Sequence, residues 1–391
     1  MPGQWSFRWR VKSATLLSAL PTQYGRCSLR GTQLTNENLP LRIWAMIGAR
    51  PGDNDQVIAL AEAIGLPFEI KQLEYNAFCH LGPRLLGRST ISLTPSSRAS
   101  VLDCNSPDVT ISAGHRSVPV VRALRQRSGG RTRSIHVGFP RISPGHFDLV
   151  ITTPQYPISD HPKLLRLPYA LTRAATASAD SASMALLADL PRPRLLLVVG
   201  GPALFWKLDE IRLLETLSDM LEEATRDGGS VLVTTSPRTP PHVQSQLARG
   251  LQGTGVPSLL AAPGKVPSYS ALLEAADSIR VTADSVAMVS DSIWTHKPLG
   301  IVPVAKSIRG RIPIAISDWV RRGRRLYPQD LRFFWHALAD IGVNERIGNP
   351  GISTDQLMRS VLDRVRPLLI PACSIGSEPD TRTTTKSEIL A

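Results

Sequence analysis

The strongest constraint on the fold is the run Arg194-Leu-Leu-Leu-Val-Val-Gly200-Gly201-Pro202. A strand with no polar alternation must be covered on both faces, as at the centre of a parallel sheet packed between helices. Two glycines and a proline give it a tight exit. The next segments keep that rhythm. Residues 208–225 are amphipathic, with Leu213, Leu217 and Leu221 on one face, and Gly228-Gly229 ends the pattern. Residues 230–235 read as a strand, 242–251 and 269–276 as helices, and 278–282 as a strand.

A similar cycle precedes it. Residues 41–47 alternate and are β-rich, 48–56 form a glycine-containing loop, 57–64 a helix stopped by Gly65, and 67–70 begin a strand. Residues 76–106 read as irregular. Strands follow at 108–112, 134–137 and 148–152, with a helix at 118–124 carrying Pro119 in its first turn. Residues 172–193 are rich in Ala, Ser and Pro and read as a linker. Strand and helix thus alternate in two blocks, which predicts an α/β chain of two Rossmann-like domains facing a central cleft. The expected layout is a basic, disordered extension over 1–40, a first domain over 41–180, a second over 194–310, a C-terminal helical segment over 311–370 and a disordered tail over 371–391.

The stretch from Val281 to Val304 carries the functional reading. Thr282-Ala-Asp284-Ser285 leads into a helix with Val286, Val289 and Ile293 on one side, Pro298 stops it, and a short buried strand follows. Asp284 and Ser285 are both good N-caps. A helix opening there offers unpaired N–H groups and the positive end of its dipole, a place for phosphate. This stretch, through Asp291, resembles the signature of the plant elongated-mitochondria fission factor and its bacterial homologues, a family that looks like the GT-B glycosyltransferases. The match departs at Asp291, where the family has Glu. Thr152-Thr-Pro-Gln155-Tyr156 also resembles a bacterial branch of the family. The resemblance implies helices at the C-terminus that pack back on the first domain.

By that resemblance the donor half would use Gly200, Gly201 and Pro202 for close backbone approach, Thr282, Asp284 and Ser285 with the following N–H groups for the diphosphate, and Asp291 for a sugar or ribose hydroxyl. Glycosyl transfer with inversion needs a base across the cleft, and Asp53, Asp55 and His115 are the candidates. Gly52, Gln56, Gly114, Gln155 and Tyr156 would line the same loops. Asp53 and Asp55 serve equally well as helix caps, and the resemblance implies a metal-independent enzyme, so no metal and no cofactor is expected. A nucleoside-diphosphate sugar is the expected substrate.

The charge is +13, with 45 Lys and Arg against 32 Asp and Glu. It suits anionic lipid or phosphate, and equally an arginine-rich proteome. Seven arginines lie between 116 and 141 with no acid among them, either solvated or forming a basic cleft rim. No helix-turn-helix, zinc or stacking motif supports a specific nucleic-acid partner. The four cysteines are scattered, as in a reduced compartment. The longest uncharged apolar run, 195–206, is too short to cross a bilayer. The expectation is a cytoplasmic protein, peripheral on the inner face of a membrane. No tyrosine has Lys four residues on, which excludes a short-chain epimerase. The alternative to a transferase is an adaptor of the fission-factor type that recruits a dynamin-like GTPase.

Overall fold

A computed structural model describes residues 41–173, 179–308, 310, 329–351 and 353–370. The expectations for 1–40, 371–391 and the basic stretch 311–328 lie outside the described residues. The first sheet holds β1 (Ile43–Ile47), β2 (Phe68–Gln72), β3 (Val109–Ala113), β4 (Arg133–Val137), β5 (Leu149–Thr152) and β6 (Leu164–Arg166), in spatial order β2-β1-β3-β4-β5-β6, all parallel. Around it run α1 (Pro51–Ile64), α2 (Gly82–Leu86), α3 (Pro95–Leu102) and α4 (Val118–Arg127). After α5 (Ser181–Ala188) the chain enters the second sheet through β7 (Arg194–Val199).

The remaining strands are β8 (Trp206–Leu208), β9 (Ser230–Thr235), β10 (Ser258–Ala261), β11 (Ser278–Thr282), β12 (Leu299–Val302) and β13 (Val304–Lys306). The second sheet is parallel, in order β10-β9-β7-β11-β12, and β8 and β13 form a separate antiparallel pair. Its helices are α6 (Glu210–Asp227), α7 (Pro241–Leu251), α8 (Tyr269–Ala275) and α9 (Val286–Trp294), followed by α10 (Leu331–Asp340) and α11 (Thr354–Val365). All six residues of β7 are buried, as a central strand covered by helices requires.

Several boundaries differ from expectation for identifiable reasons. α1 begins at Pro51, so residues 51–56 are helical and not loop. A proline at the first helical position gives up no hydrogen bond there. α3 lies inside the stretch read as irregular, opened by the Thr94 cap and Pro95. α5 interrupts the linker, capped by Asp180, whose carboxylate accepts from the Ser183 N–H at 2.8 Å. β6, β8 and β10 are three or four residues long, too short for a periodic signal.

In each sheet the strand order reverses once. The first reverses between β1 and β3, the second between β7 and β11. Loops leaving the carboxyl ends of two such strands part to opposite faces and open a crevice for ligands. One hydrophobic cluster runs through both sheets and includes Ile111, Val198, Ile279, Val289, Phe334 and Val361. α11 packs on α1, and α10 covers the second sheet, its Trp335 indole donating to the Ala283 carbonyl at 2.8 Å. Two Rossmann-like halves with returning C-terminal helices make this α/β fold GT-B-like.

Phe334 is fully buried in the shared cluster. Phe334→Ala should cost about 3–5 kcal/mol in urea unfolding, through lost apolar contact and the cavity left behind.

Candidate functional site

Both reversal points open on one crevice. On the first half, the turn after β1 is closed by Asn54, whose side chain accepts from the Gly48 N–H and donates to the Gly48 carbonyl, both at 2.8 Å. The expectation of Asp53 or Asp55 as the cap is therefore not met. Asn54 ties the turn, which leaves the Asp53 carboxylate facing the crevice. After β3, Gly114 has φ +72°, a left-handed conformation that favours glycine, and a Cβ there would come within 3.1 Å of Asp53 Oδ2. His115 follows it. Beyond β5, Tyr156 stacks on Phe139 with ring centroids 5.4 Å apart, and the Gln155 carbonyl accepts from the Asp330 N–H at 2.8 Å.

On the second half, α9 opens at Ser285, whose hydroxyl caps the Met288 N–H at 3.5 Å. Among the described residues no acceptor takes the N–H groups of Val286 and Ala287. The first turns of α1 and α9 lie against each other: a Cβ on Gly52 would lie 3.6 Å from the Ala287 methyl. Two positive helix ends thus converge. The cavity they share is about 320 Å³ and is lined by Gly52, Asp53, Gln56, Gly114, His115, Gln155 and Tyr156, with Arg50, Arg141, Val286, Ala287 and Gln329. A second cavity of about 330 Å³ is lined by Pro202, Arg238, Asp284, Ser285, Val286 and Gln329, among others. Val286 and Gln329 border both cavities.

The local electrostatics separate the base candidates. Burial lowers His115 to about 4, and Arg141, Arg50 and Arg116 push in the same direction. A neutral imidazole among guanidinium groups is a poor proton acceptor. Asp53 is raised by burial, with Arg50 opposing the shift, so its proton affinity moves toward that of a working base. Asp55 is exposed on α1 and does not line either cavity.

Four donor-side expectations are revised by this geometry. Thr282 and Asp284 are engaged inside the protein. The Gly200 N–H donates to Thr282 Oγ1 at 2.8 Å, Thr282 Oγ1 donates to Asp284 Oδ1 at 2.6 Å, and the Gly201 N–H donates to Asp284 Oδ2 at 2.8 Å. Arg238 stands 3.4 Å from the same carboxylate. Nor do Gly200 and Gly201 clear space for a ligand. A Cβ on Gly200 would fall 2.1 Å from Asp284 Oδ2, and one on Gly201 2.4 Å from the Arg238 carbonyl oxygen.

Asp291 is also diverted from a ligand role. It accepts from the Thr172 hydroxyl, and burial, helped by the Asp55 charge, lifts its carboxyl to about 6. It lines neither cavity. The arginines of 116–141 do not form one rim either. Arg125 and Arg133 pair with Asp148 at 2.6 and 3.4 Å, and Arg141 alone of the seven lines the cavity shared by α1 and α9. Sequence reading missed Arg50, Asn54, Arg238 and Ala287, and of the arginines read as a cleft rim Arg141 is the one that reaches this cavity. Only Pro51, which moves the helix start back to the turn, could have pointed to the first two.

A carboxyl at about 6, against an ordinary 3.8, favours the fold below pH 4, and that contribution is lost as pH rises through 6. Asp291→Asn keeps an acceptor for Thr172 and removes the buried charge. Urea unfolding should find it more stable than the parent at pH 8, by at most about 3 kcal/mol at roughly 1.4 kcal/mol per pKa unit, with the gain gone at pH 4.

The family model described as Mitochondrial fission ELM1 matches residues 51–325. Mitochondrial fission protein ELM1 of Arabidopsis thaliana is 26% identical over 227 residues, covering 50% of this chain and 51% of that protein, so the chain spans about half the length of this curated relative. Among solved structures, UDP-GlcNAc 2-epimerase from Methanocaldococcus jannaschii is similar with TM-score 0.45 at 12% identity, over 83% of this chain and 100% of that one. Acinetobacter baumannii MurG has TM-score 0.42 at 15% identity, over 84% and 92%. With the family model covering more than half of its length, the chain belongs to the mitochondrial fission ELM1 family.

Proposed function

We propose that the crevice binds a nucleoside-diphosphate sugar and transfers its sugar to a hydroxyl acceptor, one presented at a membrane face. The observation that carries this reading is the meeting of the α1 and α9 amino-terminal ends, with Arg50 and Arg141 beside them and the raised carboxylate of Asp53 within the same cavity. The diphosphate would rest on the Val286 and Ala287 N–H groups, where the α9 dipole stabilises the charge that grows on the leaving group. Asp53 would take the acceptor's proton as the acceptor oxygen bonds to the anomeric carbon. The bond from that carbon to the diphosphate oxygen breaks, and its electron pair leaves with the nucleotide. Ser285 acts through α9 by holding the helix end in place.

A second reading is favoured by the engagement of Asp291 with Thr172, which leaves that helix no acidic contact for a ribose. On this reading the chain is an adaptor for a dynamin-like GTPase, and the crevice is a remnant.

Calorimetry with UDP, ADP and GDP separates the two. The transferase reading expects at least one to bind, Ala287→Glu to weaken it more than tenfold by charge repulsion, and Ser285→Ala to weaken it less. Asp53→Asn should leave nucleotide binding intact and lower transfer by about 10²–10⁴-fold. Silence with all three nucleotides, together with capture of a dynamin-like protein, supports the adaptor.

A further inference from the structure

We propose that residues 77–91 of the first half are an interfacial anchor that seats the protein on an anionic lipid surface. The segment follows β2 as a 3₁₀ turn over Ala77–Leu81 that runs into α2. Phe78, Leu81 and Leu85 are 50%, 50% and 78% exposed, and Ile91 is 45% exposed. The spacing of three in the 3₁₀ turn sets Phe78 and Leu81 to one side, and beyond the break at Gly82 (φ +76°) Leu85 stands exposed on α2, while Cys79, Pro83 and Leu86 are buried. Scattered exposed leucines are ordinary, but several large apolar side chains presented together mark a contact surface. The platform is built. Asn76 accepts from the Phe78 N–H at 3.0 Å and donates to the carbonyls of Ile91 and Leu93 at 2.8 and 2.9 Å, which pins both ends of the segment.

Charge identifies the partner. From Tyr75 to Leu102 the sequence has no acid, and His80, Arg84 and Arg88 are exposed among the apolar side chains. Arg122 of α4 joins them, donating to the Gly87 carbonyl at 3.0 Å. No carboxylate pairs with Arg84, Arg88 or Arg122 among the described residues. Burial lowers the Arg122 and His146 pKa values, and neighbouring cations push the same way, Arg88 on Arg122 and both arginines on His146, so cations gather on this face. Aliphatic and aromatic side chains ringed by arginine fit the boundary between acyl chains and anionic headgroups. Among the described residues no helix is long and apolar enough to cross a membrane, so contact through these would be with the interface. The proposal does not depend on the chemistry of the crevice.

Flotation of the full chain with phosphatidylcholine vesicles, with and without phosphatidylglycerol, tests it. Binding is expected only to the anionic vesicles, and salt should weaken it. Leu81→Ser with Leu85→Ser should reduce partitioning at least tenfold, and Arg84→Gln with Arg88→Gln about fivefold per arginine. Because these side chains are exposed, thermal unfolding should not move, and nucleotide calorimetry should be unaffected in both variants. Equal binding to neutral vesicles, or undiminished anionic binding in both variants, overturns the anchor. So does a change in oligomeric state by light scattering in the leucine variant with lipid binding intact, which would assign the patch to a second copy of the chain.

Discussion

The Ser290 hydroxyl accepts from the Ala170 N–H at 2.9 Å, the Trp294 indole donates to the Ala170 carbonyl at 2.9 Å, and the Thr172 hydroxyl reaches Asp291. These bonds fasten α9 of the second half to the strand of chain leaving the first. Together with the α9 side chains Val289, Ile293 and Trp294 in the shared cluster, they hold the mouth of α9 relative to α1. Tyr169 reinforces the junction, its ring edge-on to Trp294 at 6.2 Å. The crevice is therefore not a gap between two bodies that happen to touch. Its width is set by hydrogen bonds on one helix and by the buried cluster that both sheets share.

Each half reaches the crevice by the same topological device. In the first, β1 and β3 send Asp53 and His115 to the reversal point. In the second, β7 and β11 send the Gly200–Pro202 turn and Ser285 there. A parallel sheet places all its strand ends on one side, so the functional loops of both halves can face each other without long insertions.

Much of this was legible in the sequence, because the patterns involved are local. The apolar run of β7, the leucine face of α6 and the Thr282 to Ser285 lead into α9 each announce their element within a dozen residues. Asp53, His115, Gln155 and Tyr156 were readable as residues just past strand ends, though Asp53 proves to lie in the first turn of α1, and the four line one cavity. What was not legible is which polar groups meet across long sequence distances. Asp284 reads as a cap or a ligand contact, but its partners are the Gly201 N–H and Arg238. Asp291 reads as a hydroxyl acceptor, and it is one, for Thr172, over a hundred positions away. Spacing in the chain carries no information about such pairs.

The closure of the β7 turn has a consequence for how this chain can vary. The Asp284 carboxylate sits where a side chain on residue 200 would begin, and Thr282 passes a hydrogen bond from one to the other. A larger residue at 200 has no room, and a smaller one at 284 strands the Gly201 amide proton and the Thr282 hydroxyl proton in the interior. These positions can therefore drift only in concert, as one unit of inheritance. Their persistence in a distant sequence would testify to the architecture being kept, whether or not that sequence still performs any chemistry.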